Sequence, residues 1–246
     1  MSRFQRTALL LGEDALIRLQ QAHICVIGLG GVGSYAAEAL ARSGVGNLTL
    51  IDHDVVAESN CNRQLCALSS TLGMPKAEVI AARIRQIHPD CTVTPHVMRY
   101  TGASIDLSGF TYLADAIDSV PDKLQLIEHA AQTGIPILSC MGTGNKLDPT
   151  QLRVADIEKT YGCPLAKTIR LRLRKMGIRR LQVVFSPEPA IKPERTDADS
   201  TGSAVGSVAW VPSSAGLLMA GTIIQNILGN KLSAPKQFLP KADRNI

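Results

Sequence analysis

The chain has 246 residues, of which 45% are hydrophobic, so it is long enough and apolar enough to bury a full core. Its net charge of +5 permits a nucleic-acid partner without requiring one. The six cysteines form no Cys-x-x-Cys pair, which argues against a four-cysteine zinc site, and the charged N-terminus argues against a secretory signal and for a reduced, cytoplasmic setting.

The first predicted unit is a strand, a glycine-rich turn, a helix and a second strand that ends in carboxylates. The strand covers residues 24–28, the helix 32–43, and the second strand, 47–51, leads to Asp52 and Asp54. In such a unit the glycines permit a tight turn, a close approach to phosphate and close packing of helix on strand, and the acid binds a ribose. The predicted nucleotide contacts are Gly28, Gly30, Gly31, Gly33, Asp52 and Asp54.

Polar and cationic residues follow the second strand, where an open α/β sheet binds its ligand. Asn60, Arg63 and Gln64 lie in this loop, and Lys76 stands in the first turn of a helix predicted at 75–88. Arginine, through its planar guanidinium group, and lysine, through its ammonium group, commonly stabilise the negative charge that develops on phosphoryl oxygens in a transition state. These residues suit a triphosphate better than a dinucleotide, whose pyrophosphate a helix N-terminus already holds.

The strand predicted at 110–115 ends in two carboxylates, Asp115 and Asp118. Asp115 and Asp118 are expected at the same edge of the sheet as the glycine turn. A carboxylate there can hold Mg²⁺, which binds through one or two carboxylates and the phosphates of a substrate. Together the residues indicate a site that splits ATP, and no residues for hydride transfer are visible.

The other elements continue the alternation of strands and helices, which predicts a mostly parallel sheet covered on both faces. The fold class is therefore α/β: a Rossmann-like sheet with helices on both faces and a C-terminal extension of strands and helices. We expect one domain over 1–246, with a nucleotide-binding core at 1–140 and a substrate-binding extension at 141–246. The further strands are predicted at 92–98, 135–140, 151–155 and 181–186, and the further helices at 121–133, 164–176 and 213–229.

Two segments of the C-terminal half have two interpretations each. Residues 187–206 are rich in Pro, Ser, Gly and charge, which is typical of a mobile loop that acts as a lid or of a disordered connector. Residues 207–228 carry no charge and are long enough to cross a membrane. Pro212 and Asn226 interrupt that segment, which favours a turn or strand leading into a buried helix, and we expect no membrane contact.

The run from Lys167 to Arg180 carries seven cations and no acid. It is either an exposed helical face or a track for the phosphates of a nucleic acid. Cys163 stands just before this helix, where a thiolate would be stabilised, but a spacer or core thiol is the favoured interpretation. His53 lies between two site acids and is expected to act only through them.

The motifs together resemble the ubiquitin-activating-enzyme-like (ThiF/MoeB-like) adenylyltransferases, which adenylate a carboxylate. The resemblance implies that Asp52 contacts the ribose, that Asn60, Arg63 and Lys76 contact phosphates, and that Asp118 holds Mg²⁺. It also implies a homodimer in which an N-terminal arginine reaches the partner's ATP site. The matching motifs are GxGGxG at 28–33, DxD at 52–54, NxxRQ at 60–64, PK at 75–76 and DAIDS at 115–119, with Arg6 as the better match for the N-terminal arginine and Arg3 as the alternative.

Longer segments resemble the branch of this superfamily that dehydrates threonylcarbamoyladenosine in tRNA to its cyclic form. The resemblance implies that ATP activates the threonyl carboxylate, that the ureido group closes the ring, and that tRNA is the partner. The expected tRNA contacts are Lys167, Arg170, Arg174 and Arg179. The segments are RFQRTALLLG at 3–12, EALARSGVGNLTLIDHDVV at 38–56, NRQLCAL at 62–68, MGTGNKLDPTQLRVADI at 141–157 and CPLAKTIRLRLRK at 163–175.

Two other functions remain open at this point. One is adenylation of the C-terminus of a small sulfur-carrier protein, and a sulfur-transfer protein is a further candidate partner. The other is an NAD-binding oxidoreductase or a nucleotide sensor without ATP chemistry, which would tolerate the loss of Arg63 and Lys76.

Overall fold

The computed structural model describes residues 3–102, 104–192 and 205–229, and these form a seven-stranded sheet with helices packed on it. The strands are β1 (His23–Ile27), β2 (Asn47–Asp52), β3 (Thr92–Val97), β4 (Tyr112–Asp115), β5 (Ile137–Cys140), β6 (Arg153–Asp156) and β7 (Gln182–Phe185). The α-helices are α1 (Gln5–Leu11), α2 (Glu13–Gln21), α3 (Gly33–Arg42), α4 (Lys76–Ile87), α5 (Val120–Thr133), α6 (Pro164–Lys175) and α7 (Trp210–Leu228).

The strand order is β3-β2-β1-β4-β5-β7-β6, and β6 alone pairs antiparallel. This arrangement confirms the predicted Rossmann-like α/β class, and each predicted strand is present. The central strands β1, β2 and β4 are nearly wholly buried, as expected for parallel strands that are covered on both faces. One apolar cluster contains Leu19, Leu138 and Ile223, so the two halves of the chain share a core.

The helices α1 and α2 were not predicted from the sequence. α2 has nine residues and buries Ala15 and Leu19, which is too short a stripe for a periodic pattern to stand out. Gly12 separates the two helices with a φ of 87°, in the left-handed region that favours glycine. None of the seven residues of α1 is buried within the described part of the chain.

The apolar segment near the C-terminus forms α7, close to the helix predicted at 213–229. By length and by a mean hydropathy of 1.3, this helix could cross a membrane, a test that the core helix of a globular protein also passes. Here α7 packs on α3, where a Cβ on Gly216 would lie 3.0 Å from the Ala36 nitrogen. Val211, Ala215 and Met219 are buried, so α7 supplies one side of the core.

The sheet has a topological switch point between its neighbouring strands β1 and β4. From β1 the chain continues toward β2 and β3, whereas from β4 it continues toward β5 on the other side. The loops that leave these strands therefore diverge and leave a crevice at the carboxyl edge, where open α/β sheets bind ligands.

Candidate nucleotide-binding site

A cleft of about 350 Å³ opens at the switch point. This volume falls in the range of roughly 300–1,000 Å³ that is typical of small-molecule sites. The fold brings together here residues from the glycine turn, the end of β2, the start of α4 and the loop after β4. Predicted residues that line the cleft are Gly28, Gly30, Gly31, Asp52, Asp54, Asn60, Arg63, Gln64, Lys76 and Asp118.

The glycine turn is packed tightly against the loop after β4. Gly28 has a φ of 87°, and a Cβ there would lie 2.6 Å from the Ala116 carbonyl oxygen. A Cβ on Gly33 would collide with the Gly28 carbonyl, so Gly33 serves the close approach of α3 to β1. Gly33, a predicted nucleotide contact, does not line the cleft within the described residues. Gly30 and Gly31 keep the backbone open toward the cleft.

Asp52 ends β2 as a buried carboxylate that orders the backbone around it. Its Oδ2 accepts a hydrogen bond from the Leu29 amide at 2.6 Å, and its Oδ1 accepts one from the Asp54 amide at 2.8 Å. Each oxygen keeps a lone pair for another donor, such as a ribose hydroxyl. The position therefore suits the predicted role and also ties the glycine turn to β2.

Lys76 and Asp54 form an ion pair inside the cleft, with 2.8 Å between Nζ and Oδ2. The lysine side chain is 6% exposed, whereas that of Asp54 is 51% exposed. The hydrogen bond from Lys76 holds the pKa of Asp54 below its ordinary value. His53 lies beside the pair, with its Nε2 3.4 Å from the Asp54 Oδ1. Asp54 is thus the partner of Lys76 in this structure.

The loop from Asn60 to Gln64 is stiffened by its own polar groups. The Asn60 Oδ1 accepts a hydrogen bond from the Ala57 amide at 3.1 Å. The Arg63 guanidinium donates to the Ser59 carbonyl and to the Asn62 side chain, both at 2.9 Å. No carboxylate among the described residues pairs with Arg63. Its charge is therefore available to an anion in the cleft.

The carboxylate at the end of β4 and the one in the loop after it differ in their surroundings. Asp115 is wholly buried and contacts Lys123 and Ser139, so it cannot reach the cleft. Asp118 is exposed, lines the cleft and has no hydrogen-bond partner for its carboxylate among the described residues. A hard oxygen ligand that is free for a cation fits Mg²⁺. Asp52, His53 and Asp54 also cluster within 4.8 Å, but Asp52 and Asp54 already bind amides and Lys76.

Sequence reasoning missed a second ion pair at the cleft, between Arg99 and Asp122. The Arg99 Nε lies 2.8 Å from the Asp122 Oδ2, and its Nη2 lies 3.0 Å from Oδ1. The hydrogen bond from Arg99 lowers the pKa of Asp122. The pair joins the end of β3 to the first turn of α5. Its one sequence signal was the position of Arg99 just beyond a strand.

The cations of α6 and the turn after it are not equivalent. Arg170 donates to the Thr160 carbonyl at 2.9 Å, and Arg174 pairs with Glu158, which lies outside the basic run. Lys167 and Arg179 are exposed, and neither side chain has a hydrogen bond or ion pair within the described chain. The sequence, which shows no acid along the run, therefore indicated more unpaired positive charge than the structure contains.

The remaining predicted residues lie away from the cleft. Arg6 is exposed on α1 and does not line the cleft of its own chain. Cys163 is buried in a second apolar cluster, in agreement with a core thiol. Most of the loop predicted to be mobile at 187–206, namely residues 193–204, lies outside the described residues.

Comparison with known proteins gives consistent results. The model of the ThiF family matches residues 4–245. The tRNA threonylcarbamoyladenosine dehydratase of Bacillus subtilis (strain 168) is 40% identical over 242 residues, which is 93% of this chain and 95% of that protein. Crystal structures of the E. coli tRNA N6-threonylcarbamoyladenosine dehydratase TcdA, each 40% identical, cover 92% of this chain and 94% of that one, with TM-scores of 0.86 for the AMP complex and 0.84 for the ATP complex.

Proposed function

The chain belongs to the ThiF family, and we propose that it is an ATP-dependent enzyme that dehydrates threonylcarbamoyladenosine in tRNA. The observation that carries this proposal is the cleft at the switch point, where a glycine turn, Lys76, Arg63 and Asp118 meet. These are groups for a nucleoside triphosphate, and the similar enzyme TcdA binds ATP and AMP. The tRNA substrate is supported by the names of relatives that match over nearly the whole chain. A cytoplasmic reaction is part of the same proposal.

The chemistry follows from the groups in the cleft. A carboxylate oxygen of the substrate's threonyl group attacks the α-phosphorus of ATP, and pyrophosphate leaves with the electrons of the broken P–O bond. Lys76 and Arg63 stabilise the negative charge that develops on the phosphoryl oxygens. Lys76 can exchange Asp54 for a phosphate because the two anions compete for one ammonium.

Ring closure needs no nucleophile from the protein. The ureido group of the same nucleoside attacks the activated carbonyl, AMP leaves with one former carboxylate oxygen, and a proton is lost to water. The net change in the nucleoside is the loss of one water. Because the attacking group is part of the substrate, holding it beside the carbonyl supplies most of the rate acceleration that ring closure needs. The buried position of Cys163 agrees with a mechanism without a thioester.

Mg²⁺ is part of the proposal through Asp118. The exposed carboxylate of Asp118 would hold the ion at the mouth of the cleft, and the ion would neutralise phosphate charge. Asp118 fits the ion because its carboxylate supplies the hard oxygen ligands that Mg²⁺ prefers.

A homodimer completes the proposal. Leu9 and Leu10 on α1 are 81% and 87% exposed, and isolated helices as short as α1 are marginal in water. A second copy that covers this helix would bury both leucines and carry Arg6 toward the partner's cleft. Arg3 donates to the Ile87 carbonyl of its own chain at 3.2 Å, which favours Arg6 as the reaching arginine.

The proposed function is tested by measuring AMP and pyrophosphate with tRNA that carries the modification. We expect AMP to form in a one-to-one ratio with cyclised nucleoside, and no AMP above background with tRNA that lacks threonylcarbamoyladenosine. The Asp118→Asn variant should need more Mg²⁺, whereas Asp90→Asn, an exposed acid outside the cleft, should behave like the wild type. Equal AMP formation with both tRNA preparations would contradict the proposed substrate.

A further inference from the structure

A lysine and a carboxylate are enclosed together behind the cleft. The side chains of Lys123, in α5, and Asp115, at the end of β4, are both 0% exposed. The Lys123 ammonium donates to the Asp115 Oδ2 at 2.9 Å, to the Cys140 carbonyl at 3.0 Å and to the Ser139 hydroxyl at 3.2 Å. An ammonium has three protons to donate, so each is used and the buried charge is fully solvated by protein.

The carboxylate of this pair also holds the loop that leads to Asp118. The Asp115 Oδ2 faces Lys123 and Ser139, whereas Oδ1 accepts a hydrogen bond from the Ile117 amide at 3.1 Å. This bond fixes the first bend after β4. The Ala116 carbonyl then lies against Gly28, so that the same bend is pressed against the glycine turn.

The loop after β4 contributes three consecutive residues to the cleft. Ile117, Asp118 and Ser119 all line the cleft, and α5 begins directly afterwards at Val120. Lys123 lies in the first turns of that helix. Its bond to Asp115 therefore links α5 to the end of β4, and β4, the loop and α5 together form a closed ring. Asp118 lies within this ring.

We propose that Asp115 is a positioning residue: its bond to the Ile117 amide fixes the loop 116–119 so that Asp118 faces the phosphates of the nucleotide, while Lys123 balances the buried charge of Asp115. The inference rests on the proposed function, because it concerns how Mg-ATP is held. The two oxygens of Asp115 thus serve different groups: one accepts from Lys123, and the other accepts from the amide two residues on and shapes the loop. A buried pair is weak evidence for stability alone, since apolar residues often replace it without loss.

Two double variants separate positioning from stability. Lys123→Met with Asp115→Asn removes both charges but keeps an amide oxygen for the Ile117 amide and an NH₂ group for Ser139. Lys123→Met with Asp115→Leu also removes both charges and keeps a similar volume, but it offers no acceptor. The first double variant is therefore the matched control for the second.

The measurement is ATP binding by calorimetry in the absence and presence of Mg²⁺, with thermal unfolding of each variant recorded alongside. The Asn variant should keep the Mg²⁺-dependent gain in ATP affinity within about threefold of the wild type. The Leu variant should lose about tenfold of that gain while binding Mg-free ATP as before, because a displaced group in a site costs on the order of 10–100-fold. Should the Leu variant not fold, Asp115→Val with Lys123→Met makes the same comparison with a side chain suited to a strand.

Equal Mg²⁺-dependent gains in the folded Asn and Leu (or Val) variants would overturn the inference, as would equal losses of Mg-free and Mg-ATP affinity. The outcome for the proposed function is separate. A wild type that shows the Mg²⁺-dependent gain but never converts the modified tRNA would contradict the function and leave the positioning role standing. A wild type whose ATP affinity ignores Mg²⁺ while tRNA is converted would overturn the positioning role alone.

Discussion

Lys76 is the cation most enclosed by the cleft, and its environment explains how it can act. Its ammonium is nearly shielded from water but is held by a carboxylate that is half exposed. A phosphate that enters can take the place of Asp54 without exposing the lysine. Arg63 differs because it holds only carbonyl and amide oxygens, so an anion meets no competing carboxylate there.

Arg63→Ala and Lys76→Ala should each slow adenylation by about 10²-fold or more, because one lost transition-state donor costs about 3 kcal/mol. The rate of AMP formation with modified tRNA measures the effect, and circular dichroism checks that each variant folds. Arg42→Ala is the control, since Arg42 pairs with Glu38 on the surface of α3. Near-wild-type rates for both site variants would place the phosphates elsewhere.

The Asp54–Lys76 pair also predicts a pH dependence of stability. The folded-state pKa of Asp54 is lowered, mainly by its hydrogen bond from Lys76. A carboxyl group of this kind contributes stability above its unfolded pKa, of about 4, and loses it as the pH falls through the lower folded value. The free energy of unfolding of the wild type minus that of Asp54→Asn should therefore shrink as the pH falls below about 4. If urea titrations across this range show a constant difference between the two free energies of unfolding, the Asp54–Lys76 pair does not contribute pH-dependent stability.

The residue types of the site were predictable, whereas their pairings were not. Motif spacing placed Asp52, Lys76 and Asp118 at one sheet edge because each follows a strand or opens a helix there. The sequence could not distinguish Asp115 from Asp118, because only the fold turns Asp115 toward Lys123. Arg99 was missed for the same reason, since its partner Asp122 lies on another element.

At the scale of elements, α6 was correctly expected to be a helix, but its charges are divided between two tasks. Arg170 and Arg174 hold the turn around residues 157–160. Lys167 and Arg179 have no such partners among the described residues. The predicted tRNA track therefore rests on the cations of the run that have no such partner, among them Lys167 and Arg179.

The slope of log affinity for tRNA against log salt separates the two groups. Lys167→Ala with Arg179→Ala should flatten the slope by up to about 2, since each lost phosphate contact removes about 0.7–0.9. Arg170→Ala with Arg174→Ala should lower thermal stability and change the slope less, because these side chains already have partners. A slope unaltered in the first double variant would mean that tRNA binds another surface.

Longer elements were easier to predict than the N-terminal ones. Buried strands show a continuous apolar run, and helices such as α4 show a clear helical period of apolar residues. Their bounds were therefore predicted to within a few residues. α1 and α2 are short, and within the described chain α1 buries no residue fully and leaves Leu9 and Leu10 exposed. A helix without a buried stripe of its own gives no apolar period by which to recognise it.

At the scale of the whole molecule, the strand order makes the site. Residues 28–33, 52–64 and 116–119 meet because parallel strands bring their carboxyl ends to one edge. The class of this fold could be predicted from the alternation of elements, and the structure confirms it. The start of α7 at this edge could not be predicted, although Pro212 packs on Gly31 and lines the cleft.

The proposed dimer predicts complementation between two inactive variants. Mixed dimers of Arg6→Ala and Lys76→Ala chains would have one doubly damaged site and one intact site, if Arg6 acts on the partner. Random mixing should then restore about a quarter of the wild-type rate of AMP formation, since half of the dimers are mixed. Mixtures of Arg63→Ala and Lys76→Ala chains are the control and should stay inactive. No recovery in the first mixture would place Arg6 outside the partner's site.

The central claim is that the threonyl carboxylate is activated by transfer of AMP, and the fate of its oxygen tests this most directly. The substrate is tRNA whose threonyl carboxylate carries a heavy oxygen isotope on both oxygens, and the AMP released in one turnover is analysed by mass spectrometry. Adenylation followed by ring closure predicts one heavy oxygen in each AMP and none in pyrophosphate. AMP without the isotope, formed while the nucleoside is cyclised, would contradict the account.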